Sequence, residues 1–199
     1  MGKIFYIMGK SASGKDRIYE SLIKDPMISL TPLVLYTTRP IRSGETQGKE
    51  YYFVDQDKLD ELRAAGKIIE ERVYETVHGK WFYFTADDGQ VDLQNGNYLG
   101  IGTLESYIKL QKYYGNEVLC PVYVEVEDGI RLERALRREK LQANPKYAEL
   151  CRRFLADNED FKEEHIQEAG ITRRFQNSED FTKCMEEIRI FIQEHQKTL

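Results

Sequence analysis

Cysteine is scarce in this chain: Cys120, Cys151 and Cys184 stand far apart in 199 residues. An odd number without paired spacing gives neither a disulfide framework nor a zinc site. Histidine is equally sparse, and His78, His165 and His195 form no ligand or triad pattern, so none is assigned chemistry. No apolar run approaches the length of a membrane span, and the N-terminus lacks the succession of a cleavable signal. A cytoplasmic protein with no membrane partner is the expectation. Positive charge is also in deficit, with 29 Lys and Arg against 34 Asp and Glu for a net charge of −5. General nucleic-acid binding needs clustered cations, so no nucleic-acid partner is expected. Hydrophobic residues at 41% and charged residues at 32% suit one well-solvated domain with a real core.

Against these absences one run is rich in information. Gly9-Lys10-Ser11-Ala12-Ser13-Gly14-Lys15-Asp16 follows the apolar stretch Ile4-Phe5-Tyr6-Ile7-Met8, where a strand ends and a helix begins. Gly9 and Gly14 permit backbone dihedrals that other residues resist, and the loop amides then face phosphate oxygens. The following helix adds its positive N-terminal end. Lys15 can place a point charge on the β and γ phosphates of a nucleotide, which balances charge as the phosphoryl group moves. Phosphate loops usually end in Ser or Thr, whose hydroxyl ligates Mg2+, and here the position is Asp16. A carboxylate is a hard oxygen ligand, able to hold the ion directly or through water.

Along the rest of the chain strands alternate with helices, the pattern of a parallel sheet covered on both faces. Core strands are predicted at 3–8, 33–37, 97–101, 118–126 and 172–176. Helices are predicted at 14–24, 104–114, 129–140, 146–168 and 179–195, each with apolar residues near helical spacing, and one more at 57–65. Between Arg39 and Asp88 the pattern changes. Tyr51-Tyr52-Phe53-Val54, Ile68 to Val77 and Trp81-Phe82-Tyr83-Phe84 read as short antiparallel strands, with Val77-His78-Gly79-Lys80 at a turn. The fold class is therefore α/β, with a small β-rich subdomain inserted into a parallel core.

The acceptor side is carried by Thr37-Thr38-Arg39-Pro40-Ile41-Arg42-Ser43-Gly44-Glu45, continuing through Gly48 to Tyr51-Tyr52-Phe53-Val54. Two arginines three residues apart on a turn can grip one phosphate from two sides, and a tyrosine hydroxyl can complete the grip. Here, and over nearly the whole chain, the sequence resembles the guanylate kinase family. The resemblance implies a three-layer phosphate-loop kinase core over 1–36, 90–130 and 156–199, an acceptor-binding insert over 37–89 and a helical lid over 131–155, and with them ATP-dependent phosphoryl transfer to a nucleoside monophosphate, GMP or dGMP, with Mg2+. It carries over Arg39, Arg42 and Tyr51 as ligands of the acceptor phosphate and Glu70 as the reader of the guanine N1 and N2 donors. It also implies that lid arginines Arg134, Arg138 and Arg153 reach the transferring phosphoryl group and that Asn177 lies near the adenine of ATP. A run of arginines is otherwise a solvated helix face.

Departures from the family pattern touch the substrate. Leu35 stands where a small hydroxyl residue is usual, Phe82 replaces an aromatic hydroxyl, and Gly100 and Gly102 replace two aspartates. Thr85 or Tyr83 could restore a hydroxyl, and Asp16 a carboxylate near the metal. Two other functions stay open: a kinase of the same fold for another phosphorylated acceptor such as ribose 1,5-bisphosphate, and a catalytically silent protein-binding module, which the intact Gly14-Lys15 opposes. Monomer and homodimer are both open.

Overall fold

Five parallel strands form the core sheet of the computed structural model, which describes residues 1–76 and 79–196. In chain order the elements are β1 (Ile4–Met8), α1 (Lys15–Ile23), β2 (Thr31–Pro32), β3 (Tyr36–Thr37), β4 (Tyr52–Phe53), α2 (Gln56–Ala64), β5 (Ile68–Thr76), β6 (Gly79–Ala86), β7 (Tyr98–Gly102), α3 (Leu104–Tyr114), β8 (Leu119–Glu125), α4 (Asp128–Lys140), α5 (Tyr147–Asp160), α6 (Glu163–Glu168), β9 (Arg174–Gln176) and α7 (Phe181–Gln196). The core order is β2-β7-β1-β8-β9. Side chains of β1 alternate between two hydrophobic clusters, as a strand covered on both faces requires. Phe5 and Ile7 pack with Ile18 and Leu22 of α1 and with Ile188 and Ile192 of α7. Ile4, Tyr6 and Met8 pack on the other side with Leu104, Tyr107 and Leu110 of α3 and with Phe161 and Ile166. The end of β1 is thereby fixed, and the phosphate loop departs from it.

A second sheet, β4-β3-β6-β5, forms the insert, with its own small core of Leu59, Leu62, Phe84 and Ala86. Three sequence expectations are corrected here. Residues 33–37 are not one core strand: Thr31 and Pro32 pair with Tyr98 and Leu99, whereas Tyr36 and Thr37 pair with β4 and β6. The Leu33 N–H still donates to Leu99 O, but the Val34 N–H is taken by Gln90 Oε1 at 2.9 Å, which ends the ladder. The strand at Tyr52 runs parallel to β3, not antiparallel. The helix expected over 146–168 is two helices, because Phe161 turns into the core and stacks on Tyr123 at 5.6 Å. Val77 and His78 of the expected turn lie outside the described residues. The strands that flank them pair antiparallel as expected.

Candidate active site

The phosphate loop has the backbone its sequence requires. Gly9 and Gly14 have φ of 157° and 87°, and a Cβ on Gly9 would meet Val124 O at 2.5 Å. Ala12, at φ 64°, is the single non-glycine residue with positive φ among those described. A left-handed alanine costs ~1–2 kcal/mol, a strain that persists where surrounding structure imposes it. Ser13 is buried and its Oγ has no hydrogen-bond partner. A buried hydroxyl without a partner is costly, and a phosphate oxygen would satisfy it. Lys15 Nζ lies 4.0 Å from Asp16 Oδ2, with the lysine mostly covered and the aspartate exposed. Among the described residues no cluster of three acidic, histidine or cysteine ligands exists. A divalent ion suits Asp16 only if phosphates and water supply its other oxygens, which is the ordinary habit of Mg2+.

The outer side of the loop is braced by residues far away in sequence. The Ser11 N–H donates to Asp157 Oδ2 at 2.8 Å, and Arg131 Nη1 donates to Ser11 O and Asp157 Oδ2. Arg131 is 1% exposed and also donates to Asp128 and Asn158. Lys10 Nζ joins the same group, on Asn158 Oδ1 at 2.8 Å and Asp128 Oδ1 at 3.4 Å. Its ammonium is thus turned to the helices. Asn177 is buried, and its Nδ2 donates to Ser13 O at 2.7 Å, so its amide supports the loop. Arg134 donates to Ser178 O at 2.9 Å beside it. Arg138 and Arg153 flank a narrow crevice that reaches Ser11, and Arg153 is exposed, with Glu149 3.8 Å away.

On the acceptor side, Arg39 is buried and committed. Its Nη2 and Nη1 donate to Glu45 at 2.7 and 3.0 Å, and Nη1 also donates to Pro40 O. The paired Glu45 raises the Arg39 pKa against the opposing effect of burial. Arg42 is exposed at the turn, with its backbone N–H on Glu45 Oε2. Tyr51 packs its ring edge-on against Tyr83 at 5.6 Å. Burial raises its pKa, so the hydroxyl keeps its proton at neutral pH. A cleft of about 400 Å³ is lined by Asp16, Tyr19, Leu35, Tyr51 and Ile101, among others. The first turn of α1 and the insert residues Lys49–Tyr51 therefore face one cleft.

Glu70 and Thr85 are both buried, and the Thr85 hydroxyl donates to Glu70 Oε1 at 2.9 Å. Arg72, two residues on along β5 and so on the same face, donates through Nε to Glu70 Oε2 at 3.0 Å and through Nη2 to Oε1 at 3.3 Å. Desolvation works against the Arg72 charge, but Glu70 and Tyr6 outweigh it and the pKa is raised. Neither Arg72 nor Tyr6 is among the residues that the sequence reading assigns to the site. The two-residue spacing of Glu70 and Arg72 was the legible signal. Tyr6 fills the space beside the glycine pair: a Cβ on Gly100 would stand 2.6 Å from its Cδ2, and one on Gly102 would overlap its hydroxyl. That hydroxyl pairs with Ser106 Oγ at 2.7 Å.

Comparison with known proteins bears on these features. Residues 1–83 match the family model for guanylate kinase. The guanylate kinase of Rhodopseudomonas palustris is 41% identical over 69 residues, 35% of this chain and 31% of that protein. That of Bordetella pertussis is 38% identical over 88 residues, 44% of this chain and 38% of that protein. The chain thus spans about a third of the length of these relatives. Similarity to the guanylate kinase of Malacoplasma penetrans is longer, 25% over 187 residues, covering 90% of this chain and 83% of that one. The crystal structure of guanylate kinase from Anaplasma phagocytophilum matches 99% of this chain and 87% of its own, with TM-score 0.62 and 22% identity. That last likeness concerns the fold.

Proposed function

We propose that the chain is a member of the guanylate kinase family that transfers the γ-phosphoryl group of ATP to the phosphate of a nucleoside monophosphate, with GMP and dGMP the first acceptors to test, a reading supported by the match of residues 1–83 to that family's model and by the similarity to the Malacoplasma penetrans protein over 90% of this chain. One observation carries the reading: the cleft that joins Asp16 of the phosphate loop to Tyr51 of the insert. In-line transfer needs donor and acceptor phosphates held in one water-poor space. Lys15 and the loop amides would hold the β and γ phosphates of ATP, with the free Ser13 hydroxyl as a further donor. Asp16 would hold Mg2+, which supplies charge neutralisation at the transferring group. Arg42 and Tyr51 would grip the acceptor phosphate, with Arg39 positioned by Glu45 beneath them. Arg138 and Arg153, flanking the crevice at Ser11, would approach the phosphoryl group as the lid closes.

A second reading, another phosphorylated acceptor such as ribose 1,5-bisphosphate, is favoured by the occupied carboxylate of Glu70. A silent binding module is opposed by the intact Gly14-Lys15 of a loop in which Gly9 and Gly14 hold positive φ. ADP formation with Mg2+, ATP and a panel of GMP, dGMP, AMP, UMP and ribose 1,5-bisphosphate separates the three. Acceptor-dependent ADP is expected with at least one compound. None with any acceptor would leave the silent module.

A further inference from the structure

We infer that Arg72 sets acceptor specificity: its guanidinium sits on Glu70 where the N1 and N2 donors of a guanine would sit, so the site selects phosphorylated acceptors by phosphate and sugar and not by a guanine edge. This rests on the phosphotransferase reading above and narrows its acceptor.

Glu70 Oε2 accepts from Arg72 Nε, and Oε1 accepts from both Arg72 Nη2 and Thr85 Oγ1. A guanidinium and the N1–C2–N2 edge of guanine present the same pair of parallel N–H groups, matched to the fork of a carboxylate. One fork cannot serve both. Arg72 is attached two residues away on the same strand, so it competes for Glu70 as an intramolecular partner, without the cost of association that a free nucleotide bears. The pair is also dry, with the Glu70 side chain 0% exposed and that of Arg72 10%. Displacing the guanidinium would leave a buried cation without its counter-charge.

The surroundings agree. Leu35, buried and apolar, offers no donor to a purine 6-oxygen. The Thr85 hydroxyl already donates its hydrogen bond to Glu70. Tyr6 stands over Gly100 and Gly102 and leaves no room for acidic side chains on β7. The far end of Arg72 lies beside Thr103, with Nη1 to Oγ1 at 3.5 Å, a contact long enough to leave those donors for an acceptor oxygen.

The test compares kcat/KM for GMP, IMP and ribose 1,5-bisphosphate in the wild type, Arg72→Ala and Arg72→Gln. IMP lacks the 2-amino donor, so the GMP to IMP ratio reports on edge reading alone. Wild type is expected to keep that ratio below about tenfold, since a site that truly hydrogen-bonds the edge discriminates far more strongly. Uncovering Glu70 in either variant is expected to raise the ratio at least about tenfold over wild type, through KM for GMP. A wild-type ratio above about tenfold overturns the inference, as does a ratio unchanged in folded variants. If neither variant folds, the wild-type ratio decides. Acceptor-dependent ADP from none of the three in wild type withdraws the phosphotransferase reading itself, an outcome distinct from turnover with the wrong preference.

Discussion

The ring of Tyr6 stands in the space that a side chain on Gly102 would need, and its hydroxyl is held there by Ser106. Both residues are fixed by the pairing of β1 with β7, which sets Met8 opposite Gly102 and Tyr6 opposite Gly100. Gly102→Ala should therefore lower stability by ~1–3 kcal/mol, the usual scale of overpacking. Thermal unfolding checks this, and adding Tyr6→Val should cost less than the sum of the two single changes. Additive losses would place the clash elsewhere.

Arg131 braces the phosphate loop from behind, reaching Ser11 O and the Asp157 carboxylate that also accepts the Ser11 N–H. Arg131→Ala breaks a charged group whose arginine is buried but whose acids are partly wet, so the loss should fall below the ~3–5 kcal/mol of a fully buried pair. A raised KM for ATP should accompany it. Denaturant unfolding and ATP titration of the rate measure the two effects separately.

Acid should loosen the acceptor turn through Glu45. Its hydrogen bonds from Arg39, with the Arg42 N–H assisting against desolvation, hold its carboxyl below the ordinary range. A depressed folded pKa gives stability that is fully present above the unfolded value of about 4.3 and is lost as pH falls through the folded one. Glu45→Gln should therefore flatten the fall in stability below about pH 5, as read by urea unfolding at a series of pH values.

Asp16→Asn should raise the magnesium concentration needed for half-maximal activity, because a hard divalent ion loses a negative oxygen partner. Activity measured across a magnesium titration shows it. An identical dependence in the variant would reassign Asp16, the acidic residue of the first turn of α1, to helix stabilisation worth only ~0.3–1 kcal/mol.

The strands and helices that rest on local pattern were legible in the sequence. α3 spans the residues its spacing indicates, capped by Thr103 and Ser106, and β1, β7 and β8 fall within a residue or so of expectation. Expectations failed where a distant side chain intervened. Gln90 takes the Val34 N–H 56 residues away and splits one expected strand between two sheets. Phe161 leaves helical geometry to stack on Tyr123. The site divides the same way. Loop residues from Gly9 to Asp16 follow from glycine chemistry and order along the chain. The brace does not, because Ser11 and Asp157 are 146 residues apart. Nothing in the spacing of Arg131 separates its buried role from the solvated arginines of the same helix.

Phosphoryl transfer depends most directly on Lys15, which follows Gly14 in a loop whose two glycines hold positive φ. Phosphorus NMR and ADP release should be followed for wild type and Lys15→Met with Mg2+, ATP and the acceptor panel. Wild type is expected to form ADP together with an equal amount of phosphorylated acceptor, and Lys15→Met to slow this by about 10² or more, as loss of an electrostatic transition-state contact does. Circular dichroism of the variant should stay native-like, since the loop lysine carries no core packing. Unchanged turnover in a folded Lys15→Met, or no phosphorylated acceptor from wild type, would contradict it.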